Sequence, residues 1–250
     1  MVTRRAVIGV IYTDDTWVDR DTQDLLDEFE RFLLPGVEMV SAHQYVPAGA
    51  FTVEHNVMLA DSSDIEMAAK RLMRFEPLCF GYFCTTTSFV KGIGHDTDIS
   101  SRIEDATGVP AVTTSTAVLK AFNALGLKKI ATASPYLKDV DQRLTQFLEG
   151  NGFQVVNSNP LHLSQDHCLN PADRIRRAAE EADRPDAEAV FISCTGQKTA
   201  GFISAVENQL GKPVITANQA TMWCLLRMIG IDPKLPGLGC LYGGEPAVER

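Results

Sequence analysis

Phe80-Gly81-Tyr82-Phe83-Cys84-Thr85-Thr86-Thr87-Ser88 and, 110 positions later, Val190-Phe191-Ile192-Ser193-Cys194-Thr195-Gly196 are the two stretches that decide the fold. Each is an apolar run that ends on a cysteine followed at once by threonine. An apolar run without alternation reads as a strand buried on both faces, the pattern of a parallel sheet, and it delivers its thiol at the C-terminal end. A polar turn that opens a helix directly after such a strand leaves unpaired backbone N–H groups beside the sulfur. Their field lowers a thiol pKa and attracts carboxylates. Two such places point to thiol chemistry on a small anion.

The pairing sits inside a wider internal echo. Gly108-Val109-Pro110-Ala111-Val112-Thr113-Thr114-Ser115-Thr116-Ala117 aligns without a gap on Gly211-Lys212-Pro213-Val214-Ile215-Thr216-Ala217-Asn218-Gln219-Ala220, sharing Gly, Pro, Thr and Ala at four matched positions. Ser115 matches Asn218, and both residue types make good N-caps. Upstream, the apolar run 6–12 plays the part that 130–133 plays in the second copy. The chain reads as a duplicated α/β unit.

Strands are expected near 7–12, 37–41, 78–84 and 111–113, and again near 129–133, 153–156, 189–194 and 214–216. Amphipathic helices lie between them. Ile99, Ile103 and Ala106 precede Gly108, Val118, Leu119, Phe122 and Leu125 precede Gly126, and Val140, Leu144, Phe147 and Leu148 precede Gly150, each a helical spacing with a glycine stop. This alternation predicts parallel sheets with ligand clefts at the carboxyl ends of the strands, where both cysteines fall. The expected division is a first α/β domain of residues 1–115 plus 217–250 and a second of 116–216, with capped helices crossing after Ser115 and after Thr216. A chain of 250 residues, 45% apolar, can bury one large core or two small ones, and duplication favours two. The tail 233–250, with four glycines and three prolines, reads as coil on the first domain.

The net charge of −9, with scattered Lys and Arg, argues against nucleic acid or an anionic membrane as partner. No stretch approaches the roughly 18 apolar residues of a membrane span. Arg4-Arg5 before the run 6–12 imitates a signal peptide, but Asp14 and Asp15 stand where a small-residue cleavage site belongs, so a first buried strand is expected. The six cysteines form no CxxC pair, which suits reduced thiols in a cytoplasm. Cys79, Cys224 and Cys240 read as small core hydrophobes. His162, His167 and Cys168 lack the spacing of zinc ligands and read as loop, so no metal is implied. Gly92-Ile93-Gly94 lacks the third glycine of a dinucleotide fingerprint, and no G-x-S-x-G elbow or P-loop occurs.

Cys84-Thr85-Thr86-Thr87-Ser88-Phe89, Thr107-Gly108-Val109-Pro110 through Ser115-Thr116-Ala117-Val118-Leu119, Ala133-Ser134-Pro135-Tyr136 and Ile192-Ser193-Cys194-Thr195-Gly196 together resemble the aspartate/glutamate racemase superfamily. Within it the chain is most similar to the maleate cis-trans isomerase and arylmalonate decarboxylase branch. The resemblance covers nearly the whole chain. It implies two pseudo-symmetric Rossmann-like, flavodoxin-like domains with parallel four-stranded sheets, and a cofactor-free active site between them with one cysteine from each half. By resemblance, Cys84 and Cys194 are the catalytic thiols, and Thr85, Thr86, Tyr136 and Thr195 hold a substrate carboxylate or developing enolate. Asn218 and Gln219 match a second-half loop near the cleft, and Asn218 is counted as substrate-binding. At Cys84 the isomerases and racemases keep a thiol and the decarboxylases carry glycine.

The resemblance implies a cofactor-independent isomerase acting on a small carboxylate, most like maleate to fumarate. Thiolate addition by Cys84 makes a rotatable single bond, and Cys194 serves as acid or base. The alternatives are an amino-acid or hydantoin-type racemase, in which both thiols serve one carbon, and an arylmalonate-type decarboxylase, which needs one. A non-catalytic carboxylate-binding protein is the reading from another class, and a homo-oligomer is compatible with all of them. One loop departs from the isomerase pattern: Tyr12-Thr13-Asp14-Asp15-Thr16 stands where proline, small hydroxyl residues and asparagine are usual, and it resembles the ectoine-utilisation branch. Asp14 or Asp15 turned inward would favour an ammonium-bearing substrate, whereas both facing solvent or capping the next helix leave maleate open. Read without the resemblance, 85–88 is equally a helix cap and Tyr136 a core ring.

Overall fold

The computed structural model describes residues 6–13, 19–47 and 49–243. Asp14 and Asp15 lie outside the described residues. Strands β1 (Ala6–Thr13), β2 (Val37–Gln44), β3 (Cys79–Phe83) and β4 (Ala111–Thr113) form one parallel sheet in the order β2-β1-β3-β4. Strands β5 (Lys129–Ser134), β6 (Gln154–Pro160), β7 (Ala189–Ile192) and β8 (Val214–Thr216) repeat that order as β6-β5-β7-β8. All eight expected strands are present. Every residue of β3 and of β7 is buried, as an apolar run covered on both faces requires.

Helices cover the sheets: α1 (Asp19–Glu30), α2 (Val53–Asp61), α3 (Asp64–Leu72), α4 (Thr85–Phe89) and α5 (His95–Thr107) belong to the first half. Helix α6 (Thr114–Ala124) carries the chain from β4 to β5. Helices α7 (Lys138–Gly150), α8 (Ala172–Ala182), α9 (Ile203–Leu210) and α10 (Ala217–Met228) follow. Among the described residues no helix is long and apolar enough to cross a membrane.

The internal echo acquires a physical meaning position by position. Gly108 and Gly211 end α5 and α9 with φ of 71° and 65°, a left-handed conformation that glycine takes without strain. The Pro110 and Pro213 carbonyls accept from Phe80 and Val190 N–H, registering the central strands. Thr113 and Thr216 cap α6 and α10 through their side chains, and Gln219 completes a capping box at the second. The N-caps are therefore these threonines, not Ser115 and Asn218, because each helix springs directly from the last strand residue. The third expected glycine stop is also corrected: α7 includes Gly150, and the positive φ of 85° falls at Gly152.

One large cluster of buried side chains runs through both halves, with a smaller one on the other face of the first sheet, so the expectation of two separate cores is corrected. The join lies where α6 packs on α10, whose Thr114 and Thr221 hydroxyls bond at 3.0 Å. The tail as far as Gly243 straddles both halves instead of lying on the first alone. Tyr242 donates to the Phe32 carbonyl at 3.2 Å, while Glu207 of α9 accepts from Cys240 N–H at 2.9 Å.

A second tie crosses between the halves. The buried Glu28 of α1 accepts hydrogen bonds from the N–H of Thr199 at 2.6 Å and of Ala200 at 2.8 Å, and from the Thr199 hydroxyl at 3.2 Å. Burial pushes its carboxyl above the ordinary range, against those hydrogen bonds. A carboxyl raised in the folded state contributes its stability below the unfolded value and loses it as pH rises through the folded one. Glu28→Gln keeps the accepting oxygen without the charge. Its stability relative to the native chain should therefore increase between about pH 5 and about pH 8, read from urea unfolding at both. A pH-independent difference would show that the carboxylate carries no burial penalty.

Candidate active site

The first thiol sits where β3 ends and α4 begins. Cys84 is extended (φ −149°, ψ 105°) and occupies the N-cap position, so the first-turn N–H groups after it have no partner within the helix. Its side chain is buried, with Sγ 2.9 Å from Thr87 Oγ1 and 3.6 Å from Thr86 Oγ1. The thiol donates to Thr87, and both hydroxyls can turn to donate to a thiolate. Behind them the Tyr82 hydroxyl donates to Gln44 Oε1 at 2.5 Å, and burial holds that phenol well above its usual pKa.

The second thiol lies two residues past β7. Cys194 has φ of +90°, a left-handed conformation that non-glycine residues rarely adopt. Gln197 N–H closes the turn on the Cys194 carbonyl at 3.3 Å. The Thr195 hydroxyl donates across the halves to the Phe83 carbonyl at 3.2 Å, joining the residue after one cysteine to the residue before the other.

The two turns are braced alike from behind. Asn218 Nδ2 donates to the Thr195 carbonyl at 3.0 Å and the Gln197 carbonyl at 3.1 Å, and its counterpart Ser115 reaches the Thr85 carbonyl at 3.3 Å. The matched pair of the echo thus performs one task, holding the turn that follows each cysteine.

Between the turns lies a cavity with about 340 Å³ of space free of protein atoms, part of it open to solvent. Thr13, Phe51, Cys84, Thr85 and Thr86 line it from the first half. Tyr136, Cys194, Thr195 and Gly196 face them from the second, with His167 and Cys168 beside these. Among the described residues no Lys, Arg, Asp or Glu lines the cavity, so the donors these residues offer an anion are neutral. Thr85 Oγ1 is buried without a hydrogen-bond partner of good geometry, only the Tyr136 hydroxyl standing nearby. That hydroxyl lies 3.0 Å from Ser193 Oγ, and burial, then the nearby Cys194, raises the phenol well above its usual pKa. Tyr136 is therefore a neutral donor at ordinary pH. Among the described residues no cluster of three or more His, Cys, Asp or Glu is placed to hold a metal.

The cavity thus gathers Cys84, Cys194, Thr85, Thr86, Tyr136 and Thr195, with the Thr195 hydroxyl donated to the Phe83 carbonyl. Asn218 is not among the residues lining the cavity; its buried Nδ2 is donated to the turn after Cys194, while its Oδ1 is buried without a hydrogen-bond partner. Asp15 lies outside the described residues. Of the thiols read as core, Cys79 and Cys224 are buried, and burial pushes Cys79 up to about 12. Cys240 is only half-buried.

Sequence reasoning missed Thr13, Phe51, His167, Cys168 and Gly196. His167 and Cys168 stand not in open loop but in a short 3-10 turn, His167–Leu169, against the cavity. The available signal was the duplication itself. Strands β2 and β6 hold equivalent places in the two sheets, so the loops after both reach the same end of the cleft, where Phe51 N–H bonds the Ser164 carbonyl at 2.7 Å.

Comparison with known proteins bears on this arrangement. The family model described as arylmalonate decarboxylase matches residues 55–242. The chain is 32% identical over 181 residues to arylmalonate decarboxylase of Bordetella bronchiseptica, covering 70% of this chain and 75% of that protein. It is 25% identical over 224 residues to maleate isomerase of Pseudomonas putida, covering 82% and 90%. A liganded arylmalonate decarboxylase in which a glycine is replaced by cysteine and a cysteine by serine superposes with a TM-score of 0.82 at 26% identity, over 95% of this chain and 98% of that one.

The backbone at Cys194 makes a separable expectation. Cys194→Ala and Cys194→Gly both delete the thiol, but only glycine relieves the positive φ. The glycine variant should be the more stable of the two by about 1 kcal/mol in urea unfolding. Equal stabilities, or a more stable alanine variant, would show that the turn carries no strain.

Proposed function

Starting from the chain's membership of the arylmalonate decarboxylase family, shown by the match over 55–242, we propose that it is a cofactor-independent isomerase of a small cis-enedioate, converting maleate to fumarate. The observation that carries this reading is that two thiols, Cys84 and Cys194, come from pseudo-equivalent turns to line one cavity. A decarboxylase of this branch needs one thiol to protonate an enediolate. By resemblance it carries glycine at the position of Cys84.

The chemistry follows from the placement. The Cys84 thiolate adds to one alkene carbon, and the π electrons move onto the neighbouring carbon and its carboxylate as an enediolate. The former double bond is now single and rotates. Collapse of the enediolate expels the sulfur, leaving the trans product and the thiolate restored. Cys194 lends a proton to the carbanionic carbon and recovers it before the sulfur leaves. The enediolate is met by preorganised neutral donors, namely Thr85, Tyr136 and the N–H groups that open each turn. Removing one such donor typically costs roughly 3 to 4 kcal/mol of barrier. Tyr136 suits this role because burial keeps it protonated.

Proton NMR of the protein with maleate, phenylmalonate and a panel of α-amino acids in D2O tests the reading, beside Cys84→Ala and Cys194→Ala. The expected outcome is fumarate from maleate, reduced about a thousandfold or more in Cys84→Ala. Loss of carbon dioxide from phenylmalonate with no fumarate would replace the reading by decarboxylation, and α-deuteration with loss of optical purity by racemisation. Ligand-induced stabilisation without turnover of any of these would replace it by carboxylate binding.

A further inference from the structure

We propose that His167 is the proton partner of Cys194: it takes up the proton this thiol releases and returns it during turnover. The inference deepens the isomerase reading and rests on it for its place in the reaction. His167 acts on substrate only through the sulfur.

Three features of the geometry carry it. Cys194 Sγ lies 3.9 Å from His167 Nδ1, within reach of a sulfur hydrogen bond. The other ring nitrogen, Nε2, is 3.2 Å from the Leu163 carbonyl oxygen. A carbonyl can only accept, so Nε2 carries the hydrogen and the neutral ring turns its Nδ1 lone pair to the thiol. Transfer then breaks the S–H bond and makes an Nδ1–H bond, leaving a thiolate beside an imidazolium with no change of net charge in the cavity.

The second feature is the clamp on the ring's backbone. Gln197, three residues beyond Cys194, donates from Nε2 to the His167 carbonyl at 2.9 Å and accepts from Asn170 Nδ2 at 2.7 Å. Gly196 allows the close approach, since a Cβ there would stand 3.1 Å from Cys168 Sγ and 3.4 Å from His167 Cβ. The turn that carries the thiol and the turn that carries the imidazole are thus built as one unit. The third is the ring's setting: it packs 5.2 Å from Phe51 and 6.0 Å from Tyr136, which fixes its plane.

Among the described residues, the other titratable groups facing the pair are Tyr136, Cys168 and Cys84 on the cavity wall, with His55 behind Phe51 and Asp166 preceding the imidazole in the chain. Burial holds Tyr136 up and His55 down, so both are neutral near pH 7. Among the described residues the cavity wall carries no Asp, Glu, Lys or Arg.

The test reads the thiol without substrate, so it stands or falls separately from the isomerase reading. Cys194 is half-buried and open to reagents. Its iodoacetamide alkylation rate is followed by peptide mass spectrometry from about pH 5.5 to about pH 9.5 in the native chain, His167→Gln and His167→Asn. Thermal unfolding accompanies each variant. The expected result at about pH 6.5 is alkylation roughly tenfold or more slower in both folded variants, with the rates converging at the alkaline end where a free thiol ionises unaided. Native and variant pH profiles that coincide would overturn the proposal. So would a uniform change at every pH, because a merely structural histidine alters access without altering ionisation. If one variant unfolds, the other decides.

Discussion

A hydroxyl-to-carbonyl bond, from Thr195 of the second half to Phe83 of the first, is the contact on which the site depends. Each sheet alone can place a cysteine at the end of its third strand, and neither alone can make a two-thiol cavity. The bond ties the residue after one cysteine to the residue before the other. It lies in a buried setting where leaving the Phe83 carbonyl unpaired would cost roughly 1 to 3 kcal/mol. The Glu28 carboxylate on the Thr199 and Ala200 amides and the Thr114–Thr221 pair between α6 and α10 hold the same alignment from farther away.

Among the described residues, the cavity that results is lined by polar groups without a charged side chain. A cationic clamp would bind ground state and enediolate alike, whereas hydroxyl and amide donors aimed at the developing oxyanion favour the species whose charge is concentrated there. Burial keeps the Tyr136 phenol protonated. It also makes it economical to create a thiolate together with an imidazolium, as a pair, instead of alone.

The backbone at Cys194 belongs to the same design. Its φ of +90° is a local strain that the surrounding bonds overrule: Asn218 on the Thr195 and Gln197 carbonyls, and Gln197 N–H on the Cys194 carbonyl. Cys84, by contrast, is extended and unstrained. The two thiols are equivalent in topology and different in local conformation, and they also differ in neighbours. Hydroxyls surround Cys84, and an imidazole stands beside Cys194. That asymmetry suits a division of labour between a nucleophile and a proton carrier.

The strand positions, the duplication and the placing of Cys84 and Cys194 at strand ends were legible because each depends on local pattern: apolar runs without alternation, glycine after helical spacing, threonine at a helix start. Even the brace formed by Ser115 and Asn218 was visible as a matched pair, although its task was not. What pattern could not show was direction in space. The hydroxyl of Thr195 is donated to Phe83, the Nδ2 of Asn218 is donated to the turn after Cys194, and His167 comes back from an irregular segment to stand beside a cysteine 27 residues ahead of it. These are contacts between segments distant in sequence, fixed by how two sheets meet, and no periodicity of one segment encodes the position of another. The sequence by itself determined which elements form and which thiols reach the strand ends; the packing of the two halves alone decided which polar groups remain free to meet a substrate.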